Sequence, residues 1–445
     1  MGRWRIWAFV GIVTVGFGQQ SLTLRQALEL AVEKNPQIVA ARLEIERADA
    51  RVREAVGTAL PSLGIAAGYT HYLQLPVFFL PDFRNPQSGQ LQPVRIGAEN
   101  SFQVQVQLNQ VLFSQAVITG IGASRIYAQA ARKQYWAEVL QTVMNVKKAF
   151  YGALLARELL EAARASLQRA ERFAQDVRVL ASEGLVADYD ALRAQVQVEQ
   201  IRTAVAQAEL GYSAALRQLK LAIGVPQDQE ITPLGSLEGE YRPTPLPSVQ
   251  TVMEQVLRSN PLLQALELQE LVQRDIARIY RAESYPTIVG FGAYSYQGQS
   301  QKLSNFLTAR SASVGIQLSL SLFQGFQTDA RVEQAEIESR KIQQQRERLQ
   351  EALKVQAALA VEQQRIAQQR LQAAQSTIAQ AERGYEIART RFSTGLGSQL
   401  EVIDADVAIR QSRTAYAQAL HDYLSAQAEL DYLLGVAEPG LVPEL

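Results

Sequence analysis

Cysteine is absent from this 445-residue chain, histidine occurs twice, and the charges cancel, with 44 basic side chains against 44 acidic ones. Without cysteine there is no disulfide framework, no thiolate metal site, no thiol nucleophile and no lipidated N-terminal cysteine. A net charge of zero removes the electrostatic footprint of a nucleic-acid binder and any polybasic membrane patch, so no nucleic-acid partner is expected. His71 and His421 stand far apart in the sequence, which leaves no histidine pair, HExxH or triad. No phosphate-binding glycine loop precedes a Lys-Ser/Thr pair either. The chain therefore reads as a non-enzyme, with no catalytic residue, no metal and no cofactor, and any energy it uses comes from a partner. Past the N-terminus no apolar run is long enough for a membrane helix, so contact with a bilayer would have to be made by strands.

The N-terminal run is of another kind. Residues 1–18, MGRWRIWAFVGIVTVGFG, place Arg3 and Arg5 before an apolar stretch and end in small residues. That is the order of a secretory signal peptide, too short for a confident membrane helix.

The remainder is written twice. Residues 24–72 recur at an offset of 225: Asn35-Pro36 falls on Asn260-Pro261, Pro61 on Pro286 and Tyr69 on Tyr294. Further on the offset shortens to about 210, aligning SFQVQVQLNQVLF (101–113) with SASVGIQLSLSLF (311–323) and Ile223-Gly224-Val225 with Leu434-Gly435-Val436. The first copy spans 19–225 and the second 249–436. Between them a connector, 226–248, holds five of the fifteen prolines and reads as irregular, and 437–445 form a tail.

Each copy has one order: a short helix, a strand, a loop, a strand, a very long helix, a sharp turn and a shorter helix. In the second strands Phe102, Val104, Val106 and Leu108 alternate with Gln103, Gln105, Gln107 and Asn109, and Val314, Ile316, Leu318, Leu320 and Leu322 alternate with serine and glutamine. The period is two, and the second face is polar without charge. The first strands, 62–72 and 287–296, are rich in glycine and aromatics, and their facing is ambiguous. Proline is then missing from 94–225 and from 287–438. Helices over about 114–182 and 326–393 follow, each about 100 Å long at 1.5 Å per residue. Their seams, Leu160, Ala163, Leu167, Ala170, Ala174, Val177, Ala181 and Leu371, Ala374, Ile378, Ala381, Tyr385, Ala388, Phe392, keep the alternating three-and-four spacing of coiled coils.

Four strands cannot close a barrel, and open edges are not tolerated in lipid. Either the strands belong to a secreted or periplasmic coiled-coil scaffold without a pore, or several chains share one barrel, three chains giving twelve strands.

The signal peptide, LTLRQALELAVEKNP at 22–36, the two strand pairs, the long helices and the paired Gly-Leu turns resemble the TolC-like outer-membrane efflux and secretion channels. The resemblance covers essentially all of the chain after residue 18. It implies an α+β membrane protein: a homotrimer whose twelve-stranded β-barrel, four strands per chain, lies among outer-membrane lipid and continues as an α-helical coiled-coil barrel in the periplasm. It implies the role of a passive exit duct of a tripartite efflux or type I secretion system, with a periplasmic adaptor and an inner-membrane pump as partners. The connector and tail would form an equatorial collar. Gly184, Leu185, Gly395 and Leu396 would be adaptor-docking hairpin tips. Glu401 and Asp404, three apart on one helical face, would line the periplasmic aperture, with Asp190 matching Glu401 from the other copy. Carboxylates gathered there around a threefold axis would attract cations.

Overall fold

The computed structural model describes residues 20–81 and 91–436. The expected signal peptide (1–18) and tail (437–445) lie outside the described residues.

The chain forms two compact units, each drawing on both copies. One comprises residues up to 44, 132–265 and from 346 onward; the other comprises 45–131 and 266–345. The elements of the first copy are β1 (Gln20–Leu22), α1 (Leu24–Lys34), α2 (Pro36–Gly57), β2 (Ser62–His71), β3 (Val77–Pro81), β4 (Leu91–Arg95), β5 (Asn100–Phe113), α3 (Gln115–Ser182) and α4 (Asp188–Ile223). The connector holds β6 (Ile231–Pro233) and α5 (Leu237–Glu240). The second copy has α6 (Val249–Ser259), α7 (Pro261–Ala282), β7 (Thr287–Ser300), β8 (Leu307–Ser319), α8 (Gln327–Ser393) and α9 (Gln399–Leu434).

The two long helices run 68 and 67 residues, as the proline-free stretches require. Three expectations need correction. Each copy opens with two helices rather than one, because Asn35 and Asn260 end α1 and α6 in extended backbone and the next residue, proline, starts α2 and α7. Proline has no N–H to give to a continuing helix but suits a first helical position. The stretch 73–100, read as a loop, carries the antiparallel β3–β4 ribbon. Finally, β8 spans Leu307–Ser319 instead of 311–323: its ladder with β7 ends at Thr287↔Ser319, next to Pro286, which has no N–H for another rung. Leu320 and Leu322 therefore lie past the strand.

The second unit is built on an antiparallel sheet of order β2-β5-β7-β8. Its register settles the facing of the first strands, because residues directly opposite share a face. Leu63, Ile65 and Tyr69 lie opposite Leu108, Val106 and Phe102, which lie opposite Gly292, Tyr294 and Gly298. Gly290 and Gly292 in turn oppose Ile316 and Val314, completing an apolar face. The other face carries Gln103, Gln105, Gln107 and Asn109 against Gln297, Ser295, Ala293 and Phe291, which stand opposite Ala309, Ser311, Ser313 and Gly315. Val289 opposite Gln317 extends it, so the face is uncharged and mostly polar, with Phe291 and Val289 set into it. Gln103 donates to Gln105 at 3.2 Å and Gln107 to Asn109 at 3.1 Å. Among the described residues no core covers the apolar face: Val314 is 90% exposed.

In the first unit β1 pairs in parallel with β6. The connector is held down by the buried Tyr423, whose hydroxyl accepts the Thr244 N–H at 3.1 Å. A core of Val252 and Val256 from α6, Leu353, Ala357 and Val361 from α8, and Leu430 and Leu433 from α9 lies beside it. Every residue of the two predicted seams is buried or half-buried. Leu160 and Ala163 pack with Val205 of α4, and Tyr385 and Ala388 with Val402 and Ile409 of α9.

Candidate functional site

Both long helices end in the same way. Gly184 and Gly395 adopt φ of +72° and +73°, left-handed backbone that glycine takes without strain. The following N–H reaches back around the last turn, Leu185 to Leu180 O at 2.9 Å and Leu396 to Arg391 O at 2.8 Å, while the glycine N–H groups bond Ala181 O and Phe392 O. These paired bonds close a helix end and reverse the chain. They push the next side chain outward, so Leu185 is 67% and Leu396 75% exposed. Two apolar side chains thus stand in water at equivalent turns.

The three predicted carboxylates differ in their surroundings. Glu401 sits in the first turn of α9, in a capping box with Ser398, and Arg391 Nε lies 3.5 Å from its Oε2. Asp404, one turn on, is exposed and makes no ion pair among the described residues. Asp190 lies in the first turn of α4, and its carbonyl accepts a 3.0 Å hydrogen bond from Gln399 Nε2 of α9. Gln399, 5% exposed, stitches the two turns together. Asp190 therefore meets the second tip through its backbone.

A stronger link went unseen in the sequence. Asp406, half a turn past Asp404, turns back toward α3: Arg169 Nε lies 2.6 Å from Oδ1 and Ser166 Oγ donates to Oδ2 at 2.7 Å. The Arg169 guanidinium also lies over the Tyr385 ring, 5.9 Å from its centre. Burial first, then the Asp406 charge, pushes the Tyr385 hydroxyl up, against the pull of Arg169. This cluster bolts α3 to α8 and α9. Its sequence signal was slight: Arg169 adjoins the seam residue Ala170, but nothing local ties it to a residue 237 positions away.

Nearer the connector, Glu158 of α3 accepts the Leu237 N–H of α5 at 3.2 Å. Burial pushes its carboxyl above the usual range; the Leu237 bond and Arg157 pull it back, and Glu238 and Glu161 push it further up. Tyr416 of α9 is pushed up to about 12 by burial and by its hydrogen bond to Glu238.

The sequence model described as outer membrane efflux protein matches residues 27–225 and 252–436, both copies nearly entire. The chain belongs to the outer membrane efflux protein family. It is 26% identical to the alkaline protease secretion protein AprF of Pseudomonas aeruginosa over 349 residues, 76% of this chain and 70% of that protein. To the outer membrane protein TolC of Salmonella enteritidis it is 22% identical over 437 residues, 96% of this chain and 85% of that one. The fold matches the Campylobacter jejuni CmeC outer membrane channel with a TM-score of 0.75 at 16% identity, covering 93% of this chain and 85% of that one. This outer membrane efflux protein is thus a TolC-like exit duct of the outer membrane, serving efflux or secretion. Its family is one of conduits, and the pore-free scaffold reading falls. Among the described residues of the efflux protein no helix is long and apolar enough to cross a membrane.

Proposed function

We propose that three copies of the chain close one twelve-stranded barrel in the outer membrane and one helical tunnel in the periplasm. The observation that carries this is a sheet with two free edges and an uncovered apolar face. Neighbours in the order β2-β5-β7-β8 that the ladders define are all antiparallel, so β8 of one copy meets β2 of the next antiparallel as well, and the ring closes without a mismatched pair. Lipid covers the apolar face and water fills the side lined by glutamine and serine. Aromatic residues mark the borders of the apolar band: Tyr69, Tyr294 and Tyr296 toward one end, Tyr285, Phe323 and Phe326 toward the other. From Tyr285 to Tyr296, at about 3.3 Å per residue on a strand tilted about 40°, the height is about 28 Å, the scale of such a band.

The helices support the same assembly. Tyr189, Leu192, Val196 and Leu210 leave a second apolar row exposed on α4, as Val355, Leu359, Ile366 and Ile387 do on α8. Neighbouring copies cover these rows. At the tips Leu185 and Leu396 dock a periplasmic adaptor, which couples the duct to an inner-membrane pump. Asp404, with Glu401 and Asp190 near it, forms the cation-attracting constriction. The bolt at Asp406 holds the closed arrangement, and adaptor binding shifts the population toward an open one.

The test is direct. Detergent-extracted protein, chemically cross-linked, should run as a trimer and conduct ions in a planar bilayer. A monomer that stays dispersed without detergent and forms no channel would overturn the assignment.

A further inference from the structure

Beyond the apolar band the sheet does not stop. The β2–β5 ladder gains one more bond, Tyr72 N–H to Glu99 O at 2.7 Å, and the same two chain directions then continue as the β3–β4 ribbon, paired from Val77↔Arg95 to Pro81↔Leu91. The ribbon is apolar on both faces. Phe79 stands opposite Pro93 on one and Phe78 opposite Val94 on the other, and of its ten paired residues only Arg95 is charged. Phe78, Phe79, Leu91 and Val94 are exposed, and Leu73 at its base is 95% exposed. The second copy has no counterpart, since β7 and β8 are joined directly through 301–306.

Hydrocarbon does not account for this surface. The Tyr69, Tyr294 and Tyr296 level marks the interface with headgroups and water, and β3 begins eight residues past Tyr69. Apolar surface of this extent in water is ordinarily covered by protein. The candidate cover follows from the closure proposed above, on which this inference rests. Where β8 of one copy lies beside β2 of the next, β8 starts at the end where β2 finishes. The β7–β8 turn of one copy therefore stands beside the ribbon of its neighbour, and that turn presents Leu303, 79% exposed, with Leu307 beyond it.

We infer that each β3–β4 ribbon packs through Val77, Phe78 and Phe79 on the β7–β8 turn of the adjacent copy, at Leu303 and Leu307, forming an apolar collar between copies outside the membrane. The native chain has no cysteine, so disulfide trapping reads this contact cleanly. Leu303→Cys is combined in turn with Val77→Cys, Phe78→Cys and Phe79→Cys, using only preparations that run as trimers and conduct in a bilayer; failure there concerns the duct and not the collar. At least one pairing should convert most of the chain, on mild oxidation, to dimer and trimer bands on a denaturing gel. Those bands should collapse on reduction and be missing from each single variant. A bimane label on Phe79→Cys in phosphatidylcholine vesicles should resist quenching both by iodide and by nitroxide lipids. Absence of intermolecular bands in all three pairings, quenching by nitroxide lipid, which would make the ribbon a lipid contact, or free quenching by iodide would each overturn the inference.

Discussion

A Cβ atom added to Gly224 would stand 2.7 Å from the Cα of Asn35. Gly224 ends α4 at φ +87°, and the Asn35 side chain donates to Ala222 O at 2.8 Å, so the close of the first copy is keyed into the break between its first two helices. The second copy repeats the join more loosely: Ser259 Oγ donates to Leu434 O, and a Cβ on Gly435 would meet Ser259 O at 3.3 Å. Asn-Pro and the late glycine, duplicated in the sequence, are the two halves of one joint.

Gly224→Ala should therefore be the costlier of two equivalent changes. It adds a backbone collision to the left-handed strain, and should lose about 2 kcal/mol or more, whereas Gly435→Ala should lose about 1 kcal/mol. Heating the detergent-solubilised variants at one scan rate and following helical circular dichroism checks the order. Equal midpoints would show that the collision is relieved by a shift of α1.

Much of this architecture was legible because it rests on local periodicity. Alternation at Phe102 to Leu108 fixed a strand with two unlike faces, missing proline fixed the long helices to within a residue or two, and glycine before leucine fixed the turns. What escaped depends on partners distant in sequence. The β3–β4 ribbon was hidden by Pro76, Pro81 and Pro93, which read as a loop and are tolerated only because a two-stranded ribbon leaves N–H groups that no ladder needs. The end of β8 was set by Pro286 on another strand. Arg169 and Asp406 each look like ordinary surface charges until α3 and α9 are side by side.

If the Arg169–Asp406 pair holds the closed arrangement, removing either partner should favour the open one. Asp406→Asn and Arg169→Gln should each raise basal conductance in a planar bilayer. The double variant should do little more than the stronger single change, because both report one interaction. Conductance unchanged in both singles would leave the pair a structural contact only.

The carboxylates at the second tip should not contribute equally. Glu401 is committed to capping α9 and is partly neutralised by Arg391, while Asp404 is exposed and makes no ion pair among the described residues. Asp404→Asn should raise the half-blocking concentration of a trivalent cation such as hexaamminecobalt about tenfold, equivalent to ~1.4 kcal/mol. Glu401→Gln, which preserves the capping pattern, should have a smaller effect. The reverse order would place the constriction at Glu401.

The connector offers a dependence on pH whose sign follows from Glu158. Its carboxyl lies above the usual range, chiefly through burial, so the folded state holds the proton more tightly than the unfolded chain does. The stabilisation this gives is complete below the unfolded value, about 4.3, and is lost as pH rises through the folded one. Where it ionises, the native carboxylate is a half-buried charge beside Glu238 and Glu161. Glu158→Gln keeps an oxygen to accept the Leu237 N–H and removes that charge. It should melt above the native protein at pH 7.5, with the difference shrinking as pH falls below the unfolded value and the carboxyl becomes neutral in both states. Groups common to the two proteins cancel in this comparison. A variant that melts lower at pH 7.5 would mean that the charged hydrogen bond to the start of α5 outweighs the cost of burying the carboxylate.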